Sequence, residues 1–431
     1  MSYSSLSATI LNFFEHHKFL RNVITLMTGS TVAQVISFAV APILTRIYEP
    51  HHYGLSSLYI SVVGMIATVS TGNYEHAIML PQDDEDAINI LILSTSITIG
   101  VCLTSLIVLS LCHTYVIRIV SNDEIAPWLF VVPFSVLIIG ISRSLHIWIN
   151  RTKQYRTSAM SQIIGTTTGS VTNLVLGIAK LGTTGLILGG IAGQSVAIAI
   201  LSWNFLSKRR NALWRISTSR ILHFAKVYAD FPKYNMIQGI FDSFRINLIV
   251  LSISFFFDAT VLGHYALSMR LFQLPIGIIG AAVGQVFYQK AAETYRMKQD
   301  LWAIQKKVIF WLSLVSIPLF LIILGFAPIL FRIGFGDKWK EAGVYSQILC
   351  PYVFINFLVS PLSKIPLIVN RQKQFLIIGT IYNFLVPVVF IMASVFQISF
   401  KAALGLFSFS GSLYLIIVML WFKRIAQQGE K

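Results

Sequence analysis

Four cationic side chains lie inside long apolar stretches of this sequence, where a charge is costly. Arg143, Arg245, Arg270 and Lys364 each interrupt a segment long enough to cross a bilayer, and Arg46 closes another such segment. A charge at the bilayer centre costs ~2.5–3.5 kcal/mol or more unless it faces protein or water. Fixed positive charges in a partly dehydrated cleft attract phosphate, which arginine binds through two parallel hydrogen bonds. The pattern therefore predicts a cationic cavity in which these five residues bind an anionic substrate.

These cations also have structural explanations. Arg46, Arg143 and Lys364 lie near the ends of predicted spans, where a long side chain reaches water by snorkelling. Arg245 lies deepest and cannot snorkel easily, but Asp242 three residues earlier offers it a structural ion pair. The sequence is compatible with both substrate binding and these structural roles.

Glu75 and Asp242 are the acidic residues best placed to accept a coupling proton or Na⁺. Asp242 falls at helical spacing with Asn235, Gln238 and Arg245, so these four side chains form one stripe, which predicts the wall of a polar cavity. Glu75 closes the second predicted span, and a solvated helix end is the alternative explanation there. Apart from this coupling ion no cofactor or metal is expected, because the sequence has no Walker loop, dinucleotide fingerprint or HExxH motif.

Composition places the chain among multi-pass membrane proteins. Of its 431 residues 55% are hydrophobic and 12% are charged, which is too much apolar surface for a soluble protein to bury. The apolar runs are continuous rather than alternating, which excludes a β-barrel, and the net charge of +16 reflects basic cytoplasmic loops rather than nucleic-acid binding. Twelve spans of about 20 residues are predicted: 22–45, 55–75, 87–112, 125–149, 159–179, 184–206, 234–257, 263–288, 305–331, 342–368, 375–396 and 402–422.

The loops predict the orientation of the spans. Of the 33 Lys and Arg residues, 22 fall on the side of the two termini and 7 on the opposite side. Because cytoplasmic loops are enriched in Lys and Arg, both termini are predicted to be cytoplasmic. Residues 83–86 (DDED) are acidic and suit the first turn of the third span, where the helix dipole favours negative charge.

The chain divides into two similar halves. Asn150–Tyr155 (NRTKQY) follows the fourth span, and Asn370–Phe375 (NRQKQF) follows the tenth. In the same way HYGLS at residues 52–56 and HYALS at residues 264–268 open the second and eighth spans. Since each half has an even number of spans, the repeat is parallel, with a substrate site expected between the halves. We predict an N-terminal lobe (1–206), a basic linker on lipid headgroups (207–233) and a C-terminal lobe (234–431).

Two sets of glycines have helical spacing. Gly185, Gly189 and Gly193 form a small-residue stripe in the sixth span, which predicts close helix packing. Gly277, Gly280 and Gly284 follow Pro275 in the eighth span, where they favour either packing or a bend.

Four stretches resemble one transporter family. Leu44–Gly54 (LTRIYEPHHYG), Tyr74–Pro81 (YEHAIMLP), Asp230–Tyr234 (DFPKY) and Gly284–Glu293 (GQVFYQKAAE) are similar to signatures of polysaccharide biosynthesis proteins of the Wzx-like oligosaccharide flippase type. These are translocases of the multidrug/oligosaccharidyl-lipid/polysaccharide exporter superfamily. The resemblance extends from about residue 20 to residue 425 and depends on the order and spacing of the motifs together.

The resemblance implies a V-shaped fold of two six-helix lobes around a central cavity, with alternating access. It implies transport of an undecaprenyl-diphosphate-linked oligosaccharide across the bacterial inner membrane for O-antigen, lipopolysaccharide or capsule assembly. Membrane lipids and surface-polysaccharide assembly proteins are the other expected partners. It implies no catalytic residue. A cation-coupled drug exporter of the same superfamily is the first alternative, although it favours an acidic cavity. A membrane-embedded polymerase or ligase is the second, although the predicted periplasmic loops are short.

Overall fold

The chain folds into helices joined by short turns. The computed structural model describes residues 29–112, 114–115, 123–209, 216–297 and 299–428, and within these ranges it contains no β-strand. The helices are α1 Gly29–Ile47, α2 Pro50–Ala67, α3 Asp84–Leu111, α4 Val132–Arg151, α5 Tyr155–Ile178, α6 Thr183–Arg209, α7 Thr218–Val227, α8 Met236–Phe256, α9 Ala259–Pro275, α10 Ala281–Arg296, α11 Leu301–Phe335, α12 Lys340–Val359, α13 Gln372–Val395 and α14 Phe400–Gln428. A helix pairs its own backbone groups, as lipid requires. The predicted all-α class is confirmed.

Shorter segments of other helix types adjoin several of these helices. The 3-10 helices are Tyr74–Met79 after α2, Asp123–Ile125 before α4, Asp337–Trp339 before α12 and Ser360–Lys364 after α12. The π-helices are Phe231–Asn235 before α8 and Ile276–Gly280 between α9 and α10, and single α-helical turns occupy Ala126–Leu129 and Ile365–Ile368. The π-helical turn Ile276–Gly280 begins directly after Pro275, so the glycine-rich part of the eighth predicted span contains a local change of helix type.

Eight helices in the described part of the chain are long and apolar enough to cross a membrane. Each of the twelve predicted spans overlaps a helix, although residues 22–28 of the first span lie outside the described ranges. Helix α5 is rich in Ser, Thr and Gly, which lowers its hydropathy despite its 24 residues. The count of twelve crossings therefore stays a prediction.

Several predicted boundaries are wrong. The second span was expected to continue to residue 75, but α2 ends at Ala67, and the chain then turns through Gly72 and Asn73, both at φ 59°. The eighth span was expected to begin at residue 263, but α9 begins at Ala259. Asp258 is its N-cap, and the Asp258 carboxylate accepts a hydrogen bond from the Val261 backbone N–H at 2.8 Å.

The described residues form two compact units. The first unit contains residues up to Ile47 and Tyr59–Asn247, and the second unit contains Tyr48–Leu58 and the chain from Leu248 onward. The boundary between the units therefore falls within α2 and within α8. The lobes at 1–206 and 234–431 and the linker at 207–233 stay a prediction.

In the second unit, the start of α2 packs closely on the start of α9. A Cβ atom added to Gly54 would lie 1.8 Å from the Ala259 carbonyl oxygen, and one added to Gly263 would lie 1.8 Å from the Pro50 carbonyl oxygen. Tyr53 packs edge-on against the buried Trp339 ring, with 5.0 Å between ring centroids. Such close backbone approach requires glycine at both positions.

Candidate functional site

The sequence-predicted residues are mostly exposed side chains on helices or helix ends. Arg46 lies at the end of α1, Arg143 on α4, Asp242 on α8, Arg270 on α9 and Lys364 at the end of a 3-10 turn, and all five are exposed, whereas Glu75 is buried. The backbone of Arg245 belongs to α8, but its side chain is outside the described part of the structure. Asn235 and Gln238 are exposed like Asp242, and the polar cavity wall that they were predicted to form stays a prediction.

Arg143 contacts the end of α2. One of its terminal nitrogens donates a hydrogen bond to the Ala67 carbonyl oxygen at 2.8 Å, and Ala67 is the last residue of α2. The final carbonyl groups of a helix lack intrahelical partners and carry partial negative charge, so a guanidinium group is stabilised there. Arginine has five N–H donors, and the other donors of Arg143 make no hydrogen bond or ion pair within the described residues.

Glu75 is buried in the first unit. Only 4% of its surface is exposed, and its Oε2 atom has no hydrogen-bond partner among the described residues. Its other carboxylate oxygen lies 3.9 Å from Nε2 of His76, which is too long for a hydrogen bond. The hydroxyl of Thr71, four residues earlier, is likewise buried without a partner. The interpretation of Glu75 as a solvated helix end is therefore wrong.

The local backbone explains this burial. After α2 ends, the turn through Gly72 and Asn73 redirects the chain, and the 3-10 helix Tyr74–Met79 packs against α3 and α4. Ala77 and Ile78 of this helix are completely buried in an apolar cluster with Trp148 and other residues. Anchored in this way, the 3-10 helix holds the Glu75 carboxyl group inside the first unit.

A cavity of about 610 Å³ lies in the second unit, between the region around α10 and the turn after α12. It is lined by Ile276, Gly280, Gly284, Tyr288, Ser360, Pro361, Ser363, Lys364 and Leu367. Of the sequence-predicted site residues whose side chains the structure describes, only Lys364 lines this cavity. Arg46 and Arg143 belong to the first unit and Arg270 to the second, and their convergence on one chamber stays a prediction.

Arg151 has a role that the sequence analysis did not assign. Its guanidinium group donates to the carbonyl oxygens of Ile78, Pro81 and Gln82 at 3.1, 2.8 and 3.1 Å. It also donates to the Asp84 carboxylate at 3.3 Å, and its side chain is only 12% exposed. Arg151 thus fastens the segment that follows Glu75 to the end of α4.

We expect Arg151→Lys to lower the free energy of unfolding by about 1–3 kcal/mol, because an ammonium group cannot replace the planar guanidinium group, whose N–H donors point in several fixed directions. Arg371 is the matched control, since it occupies the equivalent position of the repeated NRxKQ motif but is exposed and has no side-chain partner within the described residues. Thermal unfolding in detergent would measure both variants. Equal unfolding temperatures for Arg151→Lys and Arg371→Lys would contradict this assignment.

The acidic residues before the third span also have partners. Asp84, Glu85 and Asp86 lie in the first turn of α3, as predicted from the helix dipole. Arg220 of α7 lies 3.6 Å from the Glu85 carboxylate and 3.3 Å from the Asp86 carboxylate. At least this basic residue of the predicted linker therefore faces acidic side chains of the first unit.

Comparison with solved structures shows the fold. A lipid II flippase, MurJ, in an inward closed conformation matches with a TM-score of 0.68 at 12% identity, over 94% of this chain and 90% of that one. A multidrug resistance MATE family transporter of the MOP superfamily in an inward-facing conformation matches with a TM-score of 0.65 at 13% identity, over 94% and 95%. A MOP superfamily transporter from Pyrococcus furiosus matches with a TM-score of 0.55 at 13% identity, over 96% of both chains. At these identities the likeness shows the fold alone.

Sequence comparison shows the family. No curated protein matches the sequence. A family described as polysaccharide biosynthesis proteins matches residues 43–344, which is well over half of the chain and includes all four signature stretches named above. The match confirms the resemblance predicted from those stretches. This protein is therefore a multi-pass membrane protein with the fold of MOP superfamily transporters, and it belongs to the polysaccharide biosynthesis protein family.

Proposed function

We propose that this protein moves an undecaprenyl-diphosphate-linked oligosaccharide from the cytoplasmic to the periplasmic leaflet of the bacterial inner membrane. The oligosaccharide would cross by alternating access and would then be used to assemble a surface polysaccharide such as O-antigen or capsule. The membership of the polysaccharide biosynthesis family and the transporter fold support this class of function. In this proposal the two termini are cytoplasmic, and the oligosaccharide crosses without any bond being made or broken.

The observation that carries the proposal is the state of Arg143. This guanidinium group lies on a membrane-spanning helix, is exposed, and uses one donor on a helix-end carbonyl group. No described carboxylate neutralises it, so its charge and its remaining donors are available to an anion. A diphosphate offers several acceptor oxygens in the geometry that arginine binds with two hydrogen bonds.

The cations of the proposed substrate path belong to both units. Arg46, Arg143 and Arg245 lie in the first unit, and Arg270 and Lys364 lie in the second. We propose that these groups bind the diphosphate, that the glycan occupies a wet cleft, and that the polyprenyl tail remains in lipid. Surface-polysaccharide assembly proteins would then receive the exported lipid-linked sugar.

We also propose that transport is coupled to a proton or Na⁺ gradient through Glu75, with Asp242 as the second candidate. Glu75 supports this role because a buried carboxyl oxygen without a partner is costly unless a cation or proton reaches it. Asp242 is exposed on α8 and so is the weaker candidate on burial.

Arg270→Ala and Arg245→Ala are expected to reduce movement of the lipid-linked oligosaccharide at least tenfold, because each removes charge-assisted hydrogen bonds to the diphosphate. Arg270→Lys is expected to retain part of the activity, since lysine keeps the charge but cannot donate two parallel hydrogen bonds. The measurement is surface-glycan display in cells, with transport in proteoliposomes as the direct assay.

Arg332→Ala is the control, because Arg332 lies at the end of α11 and has only an exposed ion pair with Asp337 at 3.7 Å. The proposal fails if Arg270→Ala and Arg245→Ala cells display glycan at the wild-type level. Proton-driven efflux of cationic dyes without movement of lipid-linked sugar would instead support a drug exporter.

A further inference from the structure

The polar groups that line the second-unit cavity are hydrogen-bond donors. They are the ammonium group of Lys364, the hydroxyls of Ser360 and Ser363, and the phenol of Tyr288. No acidic side chain is among the lining residues that the structure describes. A hydroxyl can also accept, but a cavity with one fixed positive charge, three hydroxyls and no carboxylate selects an anion.

Within the described residues, these groups are not bonded to other parts of the protein. Serine hydroxyls in helices of this chain commonly bond to a carbonyl of the preceding turn, as Ser268 does to His264 at 2.8 Å and Ser316 to Leu312 at 2.7 Å. By contrast, Ser360, Ser363 and Lys364 make no side-chain hydrogen bond or ion pair with any described residue. Their bonding capacity is therefore available to a ligand.

The turn that carries these groups is held rigidly. Pro361 is buried, and Leu362 and Ile365 are completely buried in an apolar cluster with Phe287 of α10 and Phe422 of α14. Pairs of buried residues flank the polar residues of this turn, so the buried residues fix the backbone while Ser360, Ser363 and Lys364 line the cavity. A backbone that is fixed in place before binding loses little conformational entropy when a ligand arrives.

The opposite wall is kept open by glycine. A Cβ atom added to Gly284 would point toward Pro361, with 3.5 Å to its Cα atom, so a larger side chain here would enter the cavity. The π-helical turn Ile276–Gly280 forms the neighbouring part of this wall, and such turns often occur at functional sites. The volume of about 610 Å³ is within the range of small-molecule sites.

We propose that this cavity binds one phosphate group of a lipid phosphate ester. The single lysine balances one negative charge of a phosphate ester, the three hydroxyls offer donors for its other oxygens, and Ile276 and Leu367 offer apolar contact to the esterified chain. Two membrane lipids share this chemistry, a polyprenyl phosphate carrier and an ordinary anionic phospholipid. Binding of the polyprenyl phosphate carrier rests on the proposed function above, whereas binding of an anionic phospholipid does not.

The test measures lipid binding by the full-length purified protein in mixed micelles, by native mass spectrometry or calorimetry. The probes are undecaprenyl phosphate and phosphatidylglycerol, with the zwitterionic phosphatidylcholine for comparison. Lys364→Gln is expected to weaken binding of the phosphate probe at least tenfold. Lys373→Gln is the matched control, because Lys373 is an exposed lysine in the first turn of α13 that does not line the cavity.

Gly284→Leu is expected to abolish the same binding by filling the cavity, and its unfolding temperature would show that the protein remains folded. Preferential binding of undecaprenyl phosphate identifies the carrier as the ligand, and equal displacement by phosphatidylglycerol identifies bulk anionic lipid. The inference is overturned if Lys364→Gln binds both probes as tightly as wild type. Because binding is measured without transport, this outcome is independent of the Arg270 and Arg245 experiment.

Discussion

Gly193→Val is expected to lower the unfolding temperature sharply and to reduce the amount of folded protein in the membrane, whereas Gly190→Val should leave both unchanged. A Cβ atom added to Gly193 would lie 2.5 Å from the Gly165 carbonyl oxygen and 3.1 Å from the Gly169 Cα atom. One added to the neighbouring Gly190 would meet nothing within 4 Å. The two variants add the same atoms three residues apart on one helix.

The size of the expected effect follows from what a side chain at Gly193 would meet. The obstacle is the backbone of α5, which cannot rotate away as a flexible side chain can. Helices in lipid associate largely through close van der Waals packing, so separating α5 from α6 loses contacts along the whole stripe. Overpacking lowers the free energy of unfolding by about 1–3 kcal/mol and occasionally more, and we expect Gly193→Val to lie at the upper end of this range. An unchanged unfolding temperature for Gly193→Val would contradict the packing seen here.

Glu75→Gln is expected to reduce gradient-driven transport at least tenfold while leaving the protein folded. Glutamine has nearly the same shape, but it carries no charge and neither takes up a proton nor balances Na⁺. The measurement is the initial transport rate in proteoliposomes with and without an imposed proton or Na⁺ gradient. Wild type should be stimulated by one of these gradients, and Glu75→Gln by neither.

Stability distinguishes coupling from a structural role of Glu75. Its Oε2 atom is buried and has no hydrogen-bond partner in the part of the chain that the structure describes, so removing the charge should leave the unfolding temperature equal or slightly higher. Glu293→Gln is the control, because that carboxylate makes only an exposed contact with Lys290 at 3.5 Å. Retained gradient stimulation in Glu75→Gln would exclude this residue as the coupling site.

The repeated motifs show how far sequence similarity extends into structure. The tyrosines of the HYGLS and HYALS stretches, Tyr53 and Tyr265, are both buried. The arginines of the NRTKQY and NRQKQF stretches differ, because Arg151 holds three carbonyl groups and a carboxylate whereas Arg371 is exposed. The partners of Arg151 come from the segment before α3 and from the first residue of α3, about 70 residues away in the chain, so the motif alone contained no signal for them.

The features that could be predicted from the sequence are those that depend on local properties of the chain. Continuous apolar runs predicted an all-helical membrane protein, glycine spacing predicted the close packing of α6, and acidic residues before an apolar run predicted the first turn of α3. Signature stretches predicted the family, which the match over residues 43–344 confirms. Hydropathy, helical spacing and short motifs are all contained within a few turns of one segment.

The tertiary structure alone decided which polar groups are buried, paired or left available. A helix end in water was one explanation for Glu75 from its position, but a turn through two residues at positive φ places it inside the first unit. Lys364 was predicted to bind substrate, yet the serines beside it and the cavity they share appear only when α10 and the turn after α12 pack together. Burial and hydrogen bonding depend on neighbours that are distant in sequence, and these neighbours are determined by the packing of the whole fold.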